Sequence, residues 1–159
     1  MKIYTLTSTQ QLPISRKEAW TFFSDPRQLA SITPDDMSFE MMDDMTEPMH
    51  AGMILSYRIR PFPLIQVQWV TEITHVIEGE RFVDEQRLGP FRFWHHQHRF
   101  TEINGGVEMQ DTVHYAMPFS IFGRLVHKLL VRKRLEEIFS FRKKQLQAYF
   151  GHRQDDNTQ

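Results

Sequence analysis

The chain has 159 residues, enough for one domain with one substantial core. A net charge of −1 with 25% charged residues is ordinary for a globular protein and gives no reason to expect nonspecific nucleic-acid binding, which requires a basic surface. With no cysteine, disulfides, thiolate metal sites and a cysteine nucleophile are excluded.

Residues 2–12, "KIYTLTSTQQL", are rich in β-branched and aromatic types and predict a first strand. This segment lacks the apolar stretch of a secretory signal, and no run reaches the ~18–20 apolar residues of a membrane-spanning helix. A cytoplasmic chain is therefore expected. Ser15 and Glu18 form a capping box for a helix that stops at Asp25-Pro26. A second short helical turn runs from Arg27 to Ser31. The acidic segment 35–51 holds a short strand around Ser38–Met42 and then a loop. Met37, Met41, Met42, Met45, Met49 and Met53 all fall here or just beyond. Their flexible thioethers suit either an adaptable surface or the filling of core gaps.

Five strands follow, over 53–60, 64–77, 81–88, 91–103 and 107–117. Met53, Leu55, Tyr57 and Ile59 share one face of the first. Ile65, Val67, Trp69, Thr71, Ile73, His75 and Ile77 share one face of the second. The links "PFP", "EG", "GP" and "NGG" are too short for anything but antiparallel pairing. After Pro118 the period changes. From Ser120 to about Phe150, Leu125, Leu129, Ile138, Phe139, Leu146 and Tyr149 recur at helical spacing. So long a helix needs a surface to lie on, and the sheet is the one available. The polar tail 151–159 is expected to be disordered. The predicted fold is α+β: a curved seven-stranded antiparallel sheet wrapped on a long C-terminal helix. Two short helices follow strand 1, a cavity lies inside, and residues 1–150 form a single domain.

Register decides which side chains enter that cavity. A two-residue turn at Asn104-Gly105 pairs Ile103 with Gly106, and counting back sets His98 opposite Asp111 and Trp94 opposite Tyr115. Phe100, His96, Met109 and Val113 share their face. The other face carries Arg99, Gln97, Glu108, Gln110 and the pair His95–His114, and faces water. Likewise Glu78-Gly79 as a two-residue turn sets Ile73 opposite Asp84 and Thr71 opposite Gln86. Trp69, Asp84, Gln86, Trp94, His96, His98, Asp111 and Tyr115 are thus the candidate ligand-binding residues, pointing into an apolar interior. Buried ionisable groups are costly unless paired, so their concentration suits a pocket.

His98 and Asp111 are the candidate catalytic pair, a carboxylate fixing the tautomer and raising the basicity of an imidazole. The same pair could instead fix strand register or contact a ligand. His96 and His98, two apart on one strand, also have a spacing found in metal sites, with Asp84, Asp111 or His75 as further ligands. Two histidines so spaced are weak evidence, and neither a metal nor another cofactor is expected. The basic run "RLVHKLLVRKRL" reads as a solvated helix face, and an anionic membrane or acidic partner is the other reading.

The strings "FVDEQRLGPFRFWHHQH" and "DTVHYAMPFSIFG" resemble the SRPBCC superfamily, the START/Bet v 1-like helix-grip group. The closest similarity is to its bacterial ligand-binding branch related to polyketide cyclase/dehydrase proteins. The residues that carry it are Phe82, Asp84, Gln86, Gly89, Pro90, Phe91, Trp94, His95, His96 and His98, then Asp111, Val113, Tyr115, Pro118 and Gly123. The resemblance spans roughly residues 3–150. It implies a deep cavity between sheet and C-terminal helix for a lipid, polyketide or other polycyclic molecule. It implies no particular reaction, and no catalytic residue carries over. The function expected is the carriage or sequestration of a small hydrophobic ligand. The alternative is a cyclase/dehydrase-type enzyme using His98 and Asp111 in the same cavity. Expected partners are a small hydrophobic molecule, without nucleic acid or stable membrane insertion; a homodimer is left open.

Overall fold

The computed structural model describes residues 1–44, 47–118 and 127–151. Its strands are β1 (Tyr4–Leu12), β2 (Glu40–Met41), β3 (Ile54–Phe62), β4 (Ile65–Ile77), β5 (Arg81–Leu88), β6 (Phe93–Ile103) and β7 (Gly106–Ala116). They form one antiparallel sheet in the order β1-β7-β6-β5-β4-β3-β2. Helix α1 (Arg16–Phe23) and two 3₁₀ turns (Pro26–Ile32, Asp35–Met37) lie between β1 and β2. A π turn (His127–Val131) leads into the C-terminal helix α2 (Arg132–Phe150). The α+β helix-grip architecture expected from the sequence is the one observed. The start of the long helix expected at Ser120 lies outside the described residues, as do Met45 and the tail beyond Gly151.

The capping box at the head of α1 is complete. The Ser15 hydroxyl accepts from the Glu18 backbone N–H, and the Glu18 carboxylate accepts from the Ser15 backbone N–H. The helix turns Ala19, Phe22 and Phe23 inward, against Leu12, Phe100 and Val107 of the sheet and Leu146 and Phe150 of α2. This dry cluster closes one end of the fold. The inward stripe of α2 is Leu135, Phe139, Arg142, Leu146 and Phe150, whereas Leu129 and Tyr149 are exposed. Of the basic run, the described Arg132 and Lys133 lie on a solvated face and pair with Glu136 and Glu137 one turn on, whereas Arg134 turns to Asp36 and the Pro61 carbonyl. Met37 and Met53 are buried in separate clusters and Met49 packs beside Met53, so these methionines fill core gaps, while Met42 is exposed.

The register of β6 on β7 is the predicted one, Ile103↔Gly106 through Trp94↔Tyr115. Gly105 adopts φ +83°, and Asn104 has no left-handed torsion. On β4 and β5 two departures cancel. The turn has three residues, since Ile77 pairs with Arg81. A register shift between Ile73 and His75 then restores the expected Ile73↔Asp84 and Thr71↔Gln86 pairs. Beyond that bulge the strand faces exchange, so His75 and Ile77 are exposed and Val76 packs inward instead. His75 is thereby removed from any candidate metal set.

Pro63 and Leu64 join β3 to β4, and Leu64 is 99% exposed with φ +65°. A leucine in the left-handed region is held there by the turn against a local penalty. Leu64→Gly should raise the unfolding free energy by about 0.5–1 kcal/mol in urea titration. An unchanged or lowered midpoint would show that the turn carries no strain.

Candidate functional site

Between β3, β4 and β6 of the sheet and α2 lies a cavity of about 690 Å³. That volume is within the ~300–1,000 Å³ of small-molecule sites. Ile59, Val67, Trp69 and Trp94 line it from the sheet, and Leu135 and Phe139 from α2. The two indoles meet edge to face, ring centres 5.2 Å apart and planes at 88°, with Phe91 packed on Trp94 at 4.8 Å. The Trp69 Nε1–H donates to Thr71 Oγ1 at 3.0 Å, and Tyr57 shares that oxygen at 2.9 Å. With its polar edge satisfied, the Trp69 ring presents an apolar surface. A smaller cavity of about 80 Å³ lies toward α1 and shares Asp84, His98 and Arg142 with the larger one.

Against this apolar lining, one polar cluster stands out. On β6, His96 and His98 project to the same face; β5 sets Asp84 directly opposite His96, and β7 sets Asp111 directly opposite His98. The hydrogen bonds, however, run diagonally. His98 Nε2 lies 2.7 Å from Asp84 Oδ2, and His96 Nε2 lies 2.9 Å from Asp111 Oδ1. The expected His98–Asp111 couple is therefore an approach, Nδ1 to Oδ1 at 3.0 Å, outside hydrogen-bonding direction. Side chains on a strand lean along it, so diagonal neighbours come within reach of long rings. The fourth edge, His96 Nδ1 to Asp84 Oδ2, is 3.4 Å.

α2 completes the cluster with Arg142, which is buried with its guanidinium 3.6 Å from Asp111 and 5.0 Å from the centre of the Phe139 ring. Among the described residues its Nε finds no hydrogen-bond partner. Burial raises the pKa of Asp111, but the hydrogen bond from His96, the close approach of His98 and the charge of Arg142 outweigh it, holding the carboxyl well below the usual range. Asp84 is likewise lowered, its burial outweighed by the two histidines and Arg142. Burial, aided by His98, lowers the pKa of His96. At His98 burial acts the same way but is overcome by the nearby carboxylates of Asp111 and Asp84, and its pKa is raised.

Of the eight candidates, Trp69, Asp84, Trp94, His96 and His98 line the cavity. Asp111 is buried behind the histidines and touches them instead. Gln86 and Tyr115 do not line it. The Gln86 amide donates to the Phe91 carbonyl at 2.6 Å and its oxygen accepts from the Phe91 N–H at 3.2 Å, so it pins the turn that presents Phe91. Tyr115 is 2% exposed and packs edge-on behind Phe91. Sequence reasoning missed Arg142, Tyr57 and Phe91 as site residues. The signal for Arg142 was present: Leu135, Phe139, Arg142 and Leu146 follow one apolar helical stripe that an arginine interrupts. Asp84, His96 and His98 each bring one metal-ligand atom within 4.8 Å of the others.

Neither a protein-family model nor a curated protein matches the chain. Solved structures do. Protein Ms6760 from Mycobacterium smegmatis is 19% identical, with a TM-score of 0.64 over 94% of this chain and 98% of that one. Protein CV1439 from Chromobacterium violaceum is 14% identical, with a TM-score of 0.70 over 92% and 97%. A point mutant of Thalictrum flavum norcoclaurine synthase, in complex with a transition-state analogue, is 13% identical, with a TM-score of 0.65 over 93% and 96%. At such identities the likeness shows the fold. That fold is an antiparallel sheet packed on a long C-terminal helix. Among the described residues no helix is long and apolar enough to cross a membrane.

Asp111→Asn should cost about 3–5 kcal/mol in equilibrium unfolding, because it leaves Arg142 and the histidines without their buried counter-charge. Arg142→Met combined with it should recover part of that loss. Additive single and double variants would show that Arg142 and Asp111 do not interact.

Proposed function

We propose that this chain binds one small hydrophobic molecule, bearing a flat aromatic or polycyclic body, as a carrier or sequestering protein. The observation that supports it most strongly is the asymmetry of the cavity. Its wall is aromatic and aliphatic nearly throughout, while Asp84, His96, His98 and Arg142 gather at one place. Burial of a ligand's rings against Trp69, Trp94 and Phe139 supplies affinity at about 25 cal/mol per Å² of apolar surface. The polar cluster then binds an oxygen- or nitrogen-bearing end and fixes which way round the molecule lies. The Nε–H of Arg142 is a ready donor for such an end.

A second reading is favoured by one contact. His98, hydrogen-bonded to Asp84 at 2.7 Å and lining the cavity, has the placement of a general acid–base oriented by a carboxylate. Asp84 takes the orienting role first given to Asp111. That norcoclaurine synthase shares the fold supports an enzymatic role without indicating a reaction.

Native mass spectrometry of the protein as purified, followed by extraction and identification of what is released, tests the first reading. A flat aromatic probe such as anilinonaphthalene sulfonate should bind one per chain and change the tryptophan fluorescence. Trp94→Ala should weaken it about ten-fold or more, and Val67→Trp, which fills the cavity, should abolish it. Trp20→Phe, outside the cavity lining, should leave it unchanged. Probe binding indifferent to both cavity variants would remove the proposal. Turnover of the identified ligand, lost in His98→Gln with binding retained, would instead establish the enzyme.

A further inference from the structure

We infer that Asp84, His96 and His98 bind a divalent transition-metal ion, with open coordination positions facing the cavity and Asp111 orienting the imidazoles from behind. The inference does not depend on which apolar molecule the cavity holds. Two faces of the cluster divide the work. On the cavity side, Asp84 Oδ2 faces His96 Nδ1 at 3.4 Å and His98 Nε2 at 2.7 Å. On the far side, Asp111 Oδ1 lies 2.9 Å from His96 Nε2 and 3.0 Å from His98 Nδ1.

A carboxylate that accepts the Nε2–H of His96 fixes the tautomer that leaves Nδ1 as a lone pair directed at the Asp84 side. This is the outer carboxylate–histidine–metal relation seen at protein metal centres, where the rear hydrogen bond orients the ring and makes it a better donor. Asp111 stands in that relation to His96, and it approaches Nδ1 of His98 at 3.0 Å. Arg142, 3.6 Å away, balances Asp111.

The donor distances accommodate an ion. Metal bonds of ~2.0–2.1 Å at a tetrahedral angle set ligand atoms ~3.3 Å apart. Asp84 Oδ2 and His96 Nδ1 already have that separation; Asp84 Oδ2 and His98 Nε2 must open by about half an ångström. With both imidazoles neutral, two carboxylates and one guanidinium leave one net negative charge, which attracts a cation. A proton between His98 and Asp84 balances that charge, whereas a divalent ion exceeds it by one.

Two imidazoles and one carboxylate select a borderline ion such as Zn²⁺, Co²⁺ or Fe²⁺ over Ca²⁺ or Mg²⁺, which prefer oxygen-rich shells. Three protein ligands leave at least one position open, and here it opens into the cavity that would hold the ligand's polar end.

The test is calorimetric titration of chelator-stripped protein with Zn²⁺, paired with the visible spectrum of the Co²⁺-loaded form. One Zn²⁺ per chain is expected, together with the intense Co²⁺ bands of a four- or five-coordinate site. Asp84→Asn should weaken Zn²⁺ at least ~100-fold and bleach the bands, and Asp111→Asn should weaken it ~10–100-fold while keeping them. His75→Ala, at an exposed position, should change neither. No Zn²⁺ binding by the wild-type chain, or binding unaffected by Asp84→Asn, overturns the inference and leaves a proton as the balancing charge. If Asp111→Asn does not fold, the wild-type spectrum and Asp84→Asn decide. Binding of the aromatic probe by metal-free protein, measured alongside, reports on the cavity separately.

Discussion

Two inward-facing carboxylates, Asp111 buried and Asp84 partly so, on an otherwise apolar face of the sheet are the constraint around which this molecule is arranged. Neither Asp84 nor Asp111 can be left alone there, because an isolated buried charge is among the costliest features a fold can carry. The strand between them, β6, supplies two imidazoles on the same face, and the helix supplies a guanidinium. No single pair satisfies the cluster; each carboxylate touches both histidines. Such a network is satisfied only as a whole, so its members depend on one another more than pairwise contacts imply.

Sheet and helix pack closely at one end and enclose the cavity toward the other. At the α1 end, phenylalanines fill the gap, whereas at the other end the aromatic side chains pack on one another and leave space. The polar cluster sits where these two regimes meet, since Asp84, His98 and Arg142 border both cavities. A fold that carries proteins of diverse chemistry says little about the reaction or ligand; the character of this chain lies in those few side chains.

Much of this was legible in the residues. Alternation and short turns specify the antiparallel sheet, and the Asn104-Gly105 turn sets the register that brings Trp94, His96 and His98 inward. The β4–β5 register came out as expected for an incomplete reason. The turn is one residue longer than a minimal hairpin and a bulge absorbs the difference, which no local pattern at Thr74 announces. Which histidine bonds which aspartate was not legible, because pairing rules give the residue opposite while side-chain lean decides between opposite and diagonal. Gln86 shows the same limit. Its strand face was right, but the turn after Leu88 folds back to claim its amide. Arg142 stood in plain view within an apolar stripe, where a period-based reading treats an arginine as an interruption instead of a buried partner.

That arginine has a consequence for how the helix is seated. Leucine and phenylalanine side chains along α2 would tolerate small slides in the groove, because apolar contact has little directional preference. A guanidinium 3.6 Å from a buried carboxylate does not. Displacing α2 by one turn, ~5.4 Å, would strand Arg142 among apolar side chains and leave Asp111 short of positive charge. The ion pair thus indexes the helix along its own axis, and the dimensions of the cavity are fixed by electrostatic alignment at one point as much as by the packing around it.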